Sequence, residues 1–123
     1  MQLKVLDEKL KVLKLDPLDD LPEAVLNGSF YSIAKTDEEL SIVIDEAADI
    51  SSSDVELGWR AIKIVGPLDF SLVGILSKIS TALADAGISI FALSTYDTDY
   101  VLVKGDRLEG AINALSESGH ELV

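Results

Sequence analysis

The order of apolar patterns in residues 58–123 is the feature that most constrains how this chain can fold. Residues 58–65 have a strand-like pattern, and the following Gly66-Pro67 ends regular structure. Apolar residues then recur at i, i+3, i+4 and i+7, which predicts an amphipathic helix. They are Leu72, Ile75, Leu76, Ile79, Leu83 and Ala86. Asp69 or Ser71 is the predicted N-cap of this helix.

Two strands and a second helix are predicted next. Residues 88–94 and 100–104 have the apolar patterns of neighbouring strands, and the polar stretch between them is typical of a hairpin connection. Asp106 and Glu109 have the spacing of a capping box at the start of a helix. Residues 121–123 suffice for a short last strand. The order β-α-β-β-α-β predicts a ferredoxin-like α+β unit with an antiparallel sheet and its helices on one face.

The first half of the chain is less regular, and the chain divides near Leu57-Gly58. Asp16-Pro17 opens a short helical stretch, because proline suits the first helical position. Residues 47–57 are expected to form a loop or linker. Short strands are predicted at residues 3–6, 10–15, 30–34 and 40–44, the first two as a hairpin.

Charge and composition exclude several classes of partner. The 123 residues carry a formal net charge of −12, which repels the phosphates of nucleic acids and anionic lipid headgroups. No apolar run approaches the roughly 20 residues needed to cross a bilayer. The charges near Met1 come too early for the apolar core of a signal peptide. We therefore expect a cytoplasmic protein with no nucleic-acid or membrane partner.

Residues suited to catalysis are scarce. The chain has no cysteine and a single histidine, His120, so neither a catalytic triad nor a His/Cys metal site is predicted. His120 follows Gly119, where a cation favours the end of a helix. Neither a G-x-G-x-x-G nor a G-x-x-x-x-G-K-[ST] motif is present, so no cofactor is predicted.

Two features could still form a site. Asp97 and Asp99 would point to the same side if the chain stayed extended, where they could bind a divalent cation, act as acid and base, or hold a ligand ammonium. Alternatively, they belong to a hydrophilic turn and bond nearby backbone N–H groups. Gly74 lies inside the predicted helix, where glycine costs about 1 kcal/mol relative to alanine. It therefore indicates close approach, by a ligand or by a packed neighbouring element.

Residues 68–76 and 79–90 resemble the ACT domain family through Leu68-Asp-Phe-Ser-Leu-Val-Gly-Ile-Leu76 and Gly87-Ile-Ser-Ile90. Residues 88–103 are similar to the strand pair of the small CASTOR-like tandem ACT proteins, a group that includes eukaryotic cytosolic arginine sensors. Residues 1–12 and 30–45 also look similar to that group.

The resemblance implies two ACT-like halves in tandem, a degenerate one at residues 1–57 and an ACT domain at residues 58–123. It also implies a homodimer whose ligand lies between ACT units, at the strand-to-helix turn and the facing strand. The implied ligand contacts are Asp69, Phe70, Ser71, Leu72, Val73, Gly74, Ser94, Thr95, Tyr96, Asp97, Thr98 and Asp99.

Together these observations predict a non-catalytic regulatory or sensor module that binds an amino acid. An alternative is a ligand-free dimerisation and protein-interaction module, in which bulky Phe70 and Leu72 fill the pocket. A small enzyme that uses Tyr96, Asp97 and Asp99 is the third hypothesis, and the scarcity of catalytic residues counts against it.

Overall fold

The computed structural model describes residues 1–65 and 74–123. The helices are α1 (Ile75–Asp85) and α2 (Leu108–Glu117), with 3-10 turns at Glu23–Asn27 and Gly105–Arg107. The strands are β1 (Gln2–Val5), β2 (Leu10–Leu15), β3 (Tyr31–Lys35), β4 (Leu40–Asp45), β5 (Asp54–Ile64), β6 (Phe91–Ser94), β7 (Asp99–Lys104) and β8 (Glu121–Leu122).

These elements form two compact units. The large unit consists of Met1–Asp7 and Arg60–Val123, and the small unit of Glu8–Trp59. Division of the chain at residue 57 places the first seven residues in the first half, and the structure corrects this. The reason is that β1 pairs with the second part of β5, with Leu3 opposite Ile64.

The large unit has the predicted element order, β5-α1-β6-β7-α2-β8. Its strands lie in the order β8-β1-β5-β7-β6, with β1 inserted between the first and last strands of the predicted unit. A strand inserted between two antiparallel neighbours must run parallel to one of them. Accordingly β1 is antiparallel to β5 and parallel to β8, so the prediction of a purely antiparallel sheet is wrong at this pair.

Both helices of the large unit pack on the same face of its sheet. Ile79 of α1 and Leu115 of α2 are each at most 1% exposed, and both belong to one apolar cluster with Ile62 and Ile64 of β5. The predicted helical spacing is therefore confirmed for Ile75, Leu76, Ile79 and Leu83 of α1. The capping box is wrong, because α2 begins after a 3-10 turn, with Arg107 as its N-cap and no side-chain cap bond.

The small unit has a four-stranded antiparallel sheet in the order β3-β4-β2-β5. The predicted hairpin of residues 3–6 and 10–15 is wrong, since β2 pairs with β4 and β5. The predicted loop at 47–57 is wrong from Asp54 onward, where β5 begins. Numbered by their order in the chain, β2, β3, β4 and β5 are strands 1, 2, 3 and 4 of this unit. Their order across the sheet is then 2-3-1-4, which is the strand order of a ferredoxin-like sheet. The 3-10 turn Glu23–Asn27 follows the first strand, and residues 46–53 without helix follow the third.

A buried lysine holds residues 46–53 against the core of the small unit. Lys11 is 7% exposed, and its Nζ donates hydrogen bonds to the carbonyl oxygens of Ala48 (2.9 Å) and Ile50 (2.8 Å). Ile50 is itself buried with Leu13 in the core cluster of this unit. Two bonds to backbone oxygens thus help to secure a segment that contains neither helix nor strand.

Candidate functional site

The connection between β6 and β7 is a closed turn. The Thr95 N–H donates to the Thr98 carbonyl oxygen at 2.8 Å, and the Thr95 hydroxyl donates to the same oxygen at 3.1 Å. The Thr98 N–H in turn donates to the Thr95 Oγ1 at 3.3 Å. The chain is therefore not extended at Asp97, so the condition under which Asp97 and Asp99 would point the same way is not met.

Thr98 ties this turn to the end of β5. Its side chain is buried, with 5% exposure, and its hydroxyl donates a 2.6 Å hydrogen bond to the Ile64 carbonyl oxygen. Ile64 is the last residue of β5. The turn therefore lies at the carboxyl end of β5, where the chain leaves the sheet toward α1.

The two carboxylates of the turn have different surroundings. Asp99 begins β7 opposite Ser94, and its Oδ1 accepts a hydrogen bond from the Ser94 hydroxyl. Asp97 is exposed, as is Tyr96, whose exposed fraction is 82%. Asp99 thus has an oriented carboxylate with a second oxygen to offer, whereas Asp97 faces solvent.

Gly74 is the N-cap of α1, which begins at Ile75. Its φ of 82° and ψ of −3° lie in the left-handed region, which residues other than glycine rarely adopt. A Cβ added at Gly74 would meet no described atom within 4 Å. The expectation of a glycine inside the helix is therefore wrong, and backbone conformation rather than close packing explains the residue. The predicted N-caps Asp69 and Ser71 lie outside the described residues.

The other predicted contacts from the strand-to-helix turn lie outside the described residues. They are Asp69, Phe70, Ser71, Leu72 and Val73. What the structure describes is both flanks of this segment. Val65 lies next to β1, with its N–H bonded to the Gln2 carbonyl oxygen at 2.9 Å, and Gly74 starts α1.

Two cations lie near His120, which no pattern in the sequence indicates. Burial lowers the pKa of His120 below its usual 6.5, and the charges of the N-terminal amine and Lys78 lower it further. Lys78 lies in the first turn of α1, where its N–H bonds to the Gly74 carbonyl oxygen at 2.9 Å. His120 immediately precedes β8. At neutral pH the imidazole is therefore neutral.

Within residues 1–65 and 74–123 the structure contains no cluster of three or more His, Cys, Asp or Glu side chains that could hold a metal ion. Across the same residues, no helix is long and apolar enough to span a bilayer. What the described residues offer is a short turn with one oriented carboxylate, held at the carboxyl end of β5.

Comparison with known proteins relates this arrangement to a family. A family model described as the ACT domain matches residues 54–117, more than half of the chain. The chain belongs to the ACT domain family. A second model, for an N-terminal domain, matches residues 8–52, which lie within the small unit. The family expected from the sequence is therefore confirmed.

The relatives of this ACT protein include one that is named as an arginine sensor. The human cytosolic arginine sensor for mTORC1 subunit 1 is 33% identical over 96 residues, which cover 71% of this chain and 29% of the sensor. The chain therefore spans less than a third of that relative. A crystal structure of an Agrobacterium tumefaciens protein is 35% identical, with a TM-score of 0.90 over 99% of this chain and 91% of that one.

A third comparison concerns the fold alone. The regulatory subunit of aspartate kinase from Thermus flavus is 14% identical, with a TM-score of 0.66 over 94% of this chain and 95% of the other. At that identity the likeness shows a shared fold and carries no residue roles. The ferredoxin-like α+β class predicted from the sequence is confirmed.

Proposed function

We propose that this ACT protein is a non-catalytic regulatory module that binds an amino acid at the end of the large unit where β5 leads into α1. The observation that carries the proposal is the bond from the Thr98 hydroxyl to the Ile64 carbonyl oxygen. It holds the β6–β7 turn beside the flank of the strand-to-helix segment, so both predicted halves of the site start from one end of the sheet. Membership in a family whose relatives are named as sensors and regulatory subunits supports the same reading.

The ligand carboxylate would bind at the start of α1. The first backbone N–H groups of a helix have no partners within it, and the helix dipole is positive there. The first turn of α1 holds no acidic side chain and contains Lys78, which adds to the positive potential. Contacts from Asp69, Phe70, Ser71, Leu72, Val73 and Gly74 are part of the proposal.

The ligand ammonium would bind at the β6–β7 turn. Asp99 is the best candidate, because Ser94 occupies only one of its carboxylate oxygens. Exposed Asp97 adds negative charge, and Thr95 and Tyr96 complete this side of the proposed site. Thr98 is a positioning residue in this scheme, since its hydroxyl is already bonded to Ile64.

The proposal extends to the organisation of the protein. The small unit has a ferredoxin-like strand order in which a 3-10 turn and the irregular residues 46–53 take the places of the two helices, which supports a degenerate ACT-like unit there. We propose a cytoplasmic homodimer with the ligand between ACT units, and ligand binding that shifts the dimer between two arrangements.

The first test is thermal melting of the whole chain against a panel of amino acids. At one hundred times Kd a ligand adds about 2.7 kcal/mol of stability, and each kcal/mol raises Tm by roughly 2–8 °C. Asp99→Asn should reduce the shift, whereas Asp85→Asn, at the far end of α1, should leave it unchanged. A shift that Asp99→Asn and Asp85→Asn affect equally would contradict the assigned site.

Exposed Tyr96 at the tip of the turn favours a second candidate, a ligand-free dimerisation or protein-interaction module. In that case no amino acid raises Tm, and Tyr96→Ser weakens a dimer measured by sedimentation. A selective Tm shift with one amino acid would exclude it.

A further inference from the structure

We propose that residues 16–26 of the small unit form a docking surface for a basic, amphipathic segment of another protein. This inference is independent of the amino-acid site proposed for the large unit. Its starting point is three leucines that face solvent within nine residues, Leu18 at 91%, Leu21 at 38% and Leu26 at 57% exposure. Single exposed leucines are ordinary, but a group of them is a recurrent mark of interaction sites.

Leu18 is held on an ordered turn. The Asp16 Oδ1 accepts the Leu18 N–H at 2.9 Å, and the Asp16 N–H donates to the Asp19 Oδ2 at 3.1 Å. The Asp19 N–H closes the turn on the Asp16 carbonyl oxygen at 2.9 Å. Because these hydrogen bonds already order the backbone of the turn, a partner that covers Leu18 need not order that backbone, which favours binding.

Carboxylates surround these leucines. Asp16, Asp19, Asp20 and Glu23 alternate with them along the segment and are all exposed. A cavity of about 440 Å³ begins at the same turn. Its charged lining is Lys14, Asp16, Asp19, Glu38 and Asp54. Four carboxylates against one ammonium make this cavity suited to a lysine or arginine side chain.

The charge distribution decides which occupant fits. Residues 8–59 carry 13 of the 22 acidic residues and only 4 of the 10 basic ones. A second copy of this chain would bring the same excess of negative charge, and nucleic acid or an anionic membrane would also be repelled. A segment in which lysine or arginine alternates with apolar residues matches both features, because its apolar side chains cover the leucines and its cations meet the carboxylates.

The probe is a fluorescent synthetic peptide of about 14 residues in which lysines and leucines form an amphipathic pattern, titrated with the whole chain. We expect saturable binding that weakens at least tenfold for the double variant Leu18→Ser with Leu21→Ser. Val123→Ser, which removes an apolar residue that is 59% exposed in the large unit, should leave the affinity within twofold. Thermal melting of each variant checks that it is folded.

Two control peptides and a pair of charge variants separate specific docking from general attraction. A peptide with glutamate in place of lysine should not bind, and one with serine in place of leucine should bind at least tenfold more weakly. The double variant Asp20→Asn/Glu23→Gln should lower the affinity for the lysine–leucine peptide and make it less dependent on salt concentration. The double variant Glu109→Gln/Glu117→Gln in α2 should have smaller effects on both.

Several results would overturn the proposal. Equal affinity for the leucine and serine peptides would show attraction to net charge only, as would equal loss in the two charge variants. Unchanged binding by the Leu18/Leu21 variant would exclude this surface. A concentration-dependent dimer that the Leu18/Leu21 variant dissociates would show that a second copy of the chain occupies this surface. Absence of binding to the lysine–leucine peptide would exclude a basic segment as the occupant.

Discussion

Replacing Lys11 by methionine tests how the small unit retains its fold although residues 46–53 form no helix. The ammonium of Lys11 donates to the carbonyl oxygens of Ala48 and Ile50 and thereby helps to secure residues 46–53. Methionine keeps most of the apolar stem of the side chain and removes the charge and both bonds. We expect Lys11→Met to destabilise the protein.

The magnitude follows from what each carbonyl loses. The Ala48 oxygen still accepts the Ile50 N–H at 2.8 Å, so its loss is small. The Ile50 oxygen is bonded to Lys11 in a buried position, and a buried acceptor left without a partner costs about 1–3 kcal/mol. Removal of the ammonium also removes the cost of burying a charge, which offsets part of the loss. We therefore expect the free energy of unfolding to fall by about 2 kcal/mol.

Urea unfolding at neutral pH measures this change, and Lys9→Met is the matched control. Lys9 is exposed, so the same substitution there should change the free energy of unfolding by less than about 0.5 kcal/mol. Hydrogen exchange should become faster in residues 46–53 of the Lys11 variant before it does so elsewhere. Equal effects of the two substitutions, or a more stable Lys11→Met protein, would refute the reasoning.

Three further perturbations test the large unit. Thr98→Val removes the hydroxyl that bonds the Ile64 carbonyl oxygen, and urea unfolding should show a loss of about 1–3 kcal/mol. Gly74→Ala should cost roughly 1–2 kcal/mol because φ is +82°, whereas Gly110→Ala inside α2 should stabilise by roughly 0.5–1 kcal/mol. Proton NMR of the single histidine should give His120 a pKa below 6.5. Folding then favours the neutral imidazole, so its contribution to stability is full above pH 6.5 and is lost as pH falls through the lowered pKa.

Each of these expectations has a result that contradicts it. Ser118→Ala removes an exposed hydroxyl hydrogen bond at the end of α2. If Thr98→Val lowered the free energy of unfolding no more than Ser118→Ala does, the Ile64 oxygen would be bonding water instead. Equal effects at Gly74 and Gly110 would argue against the left-handed conformation. A His120 pKa at or above 6.5, or His120→Gln with an unchanged loss of stability in mild acid, would contradict burial near the two cations.

The order of elements in the large unit is predictable from sequence because it depends on local periodicity. Ile79 and Leu83 recur at helical spacing, and both are buried in the core as that spacing requires. Ala111 and Leu115 do the same in the second helix. The absence of cysteine and the single histidine likewise limit, through composition alone, the chemistry that the side chains can perform.

Part of the candidate site is also within reach of the sequence. The polar stretch after β6 is typical of a turn, and its residues Ser94 and Asp99 are bonded across it. The role of Thr98 is not predictable in this way, because its partner Ile64 is 34 residues away and no local pattern records such a bond. Helical spacing predicts a start of α1 that is too early, because the spacing runs through Gly74 and does not register its positive φ.

Local patterns thus determined the order of elements in the large unit and which faces its helices bury. Only the tertiary structure decided how distant segments combine. It placed β1 between β5 and β8, brought Lys11 to the carbonyl oxygens near Ile50, and set the carboxylates around the turn at Asp16 beside one cavity. Periodicity reports the environment of each residue relative to its neighbours in the chain. Pairing between distant segments depends on which unsatisfied backbone groups and apolar faces meet after those elements have formed.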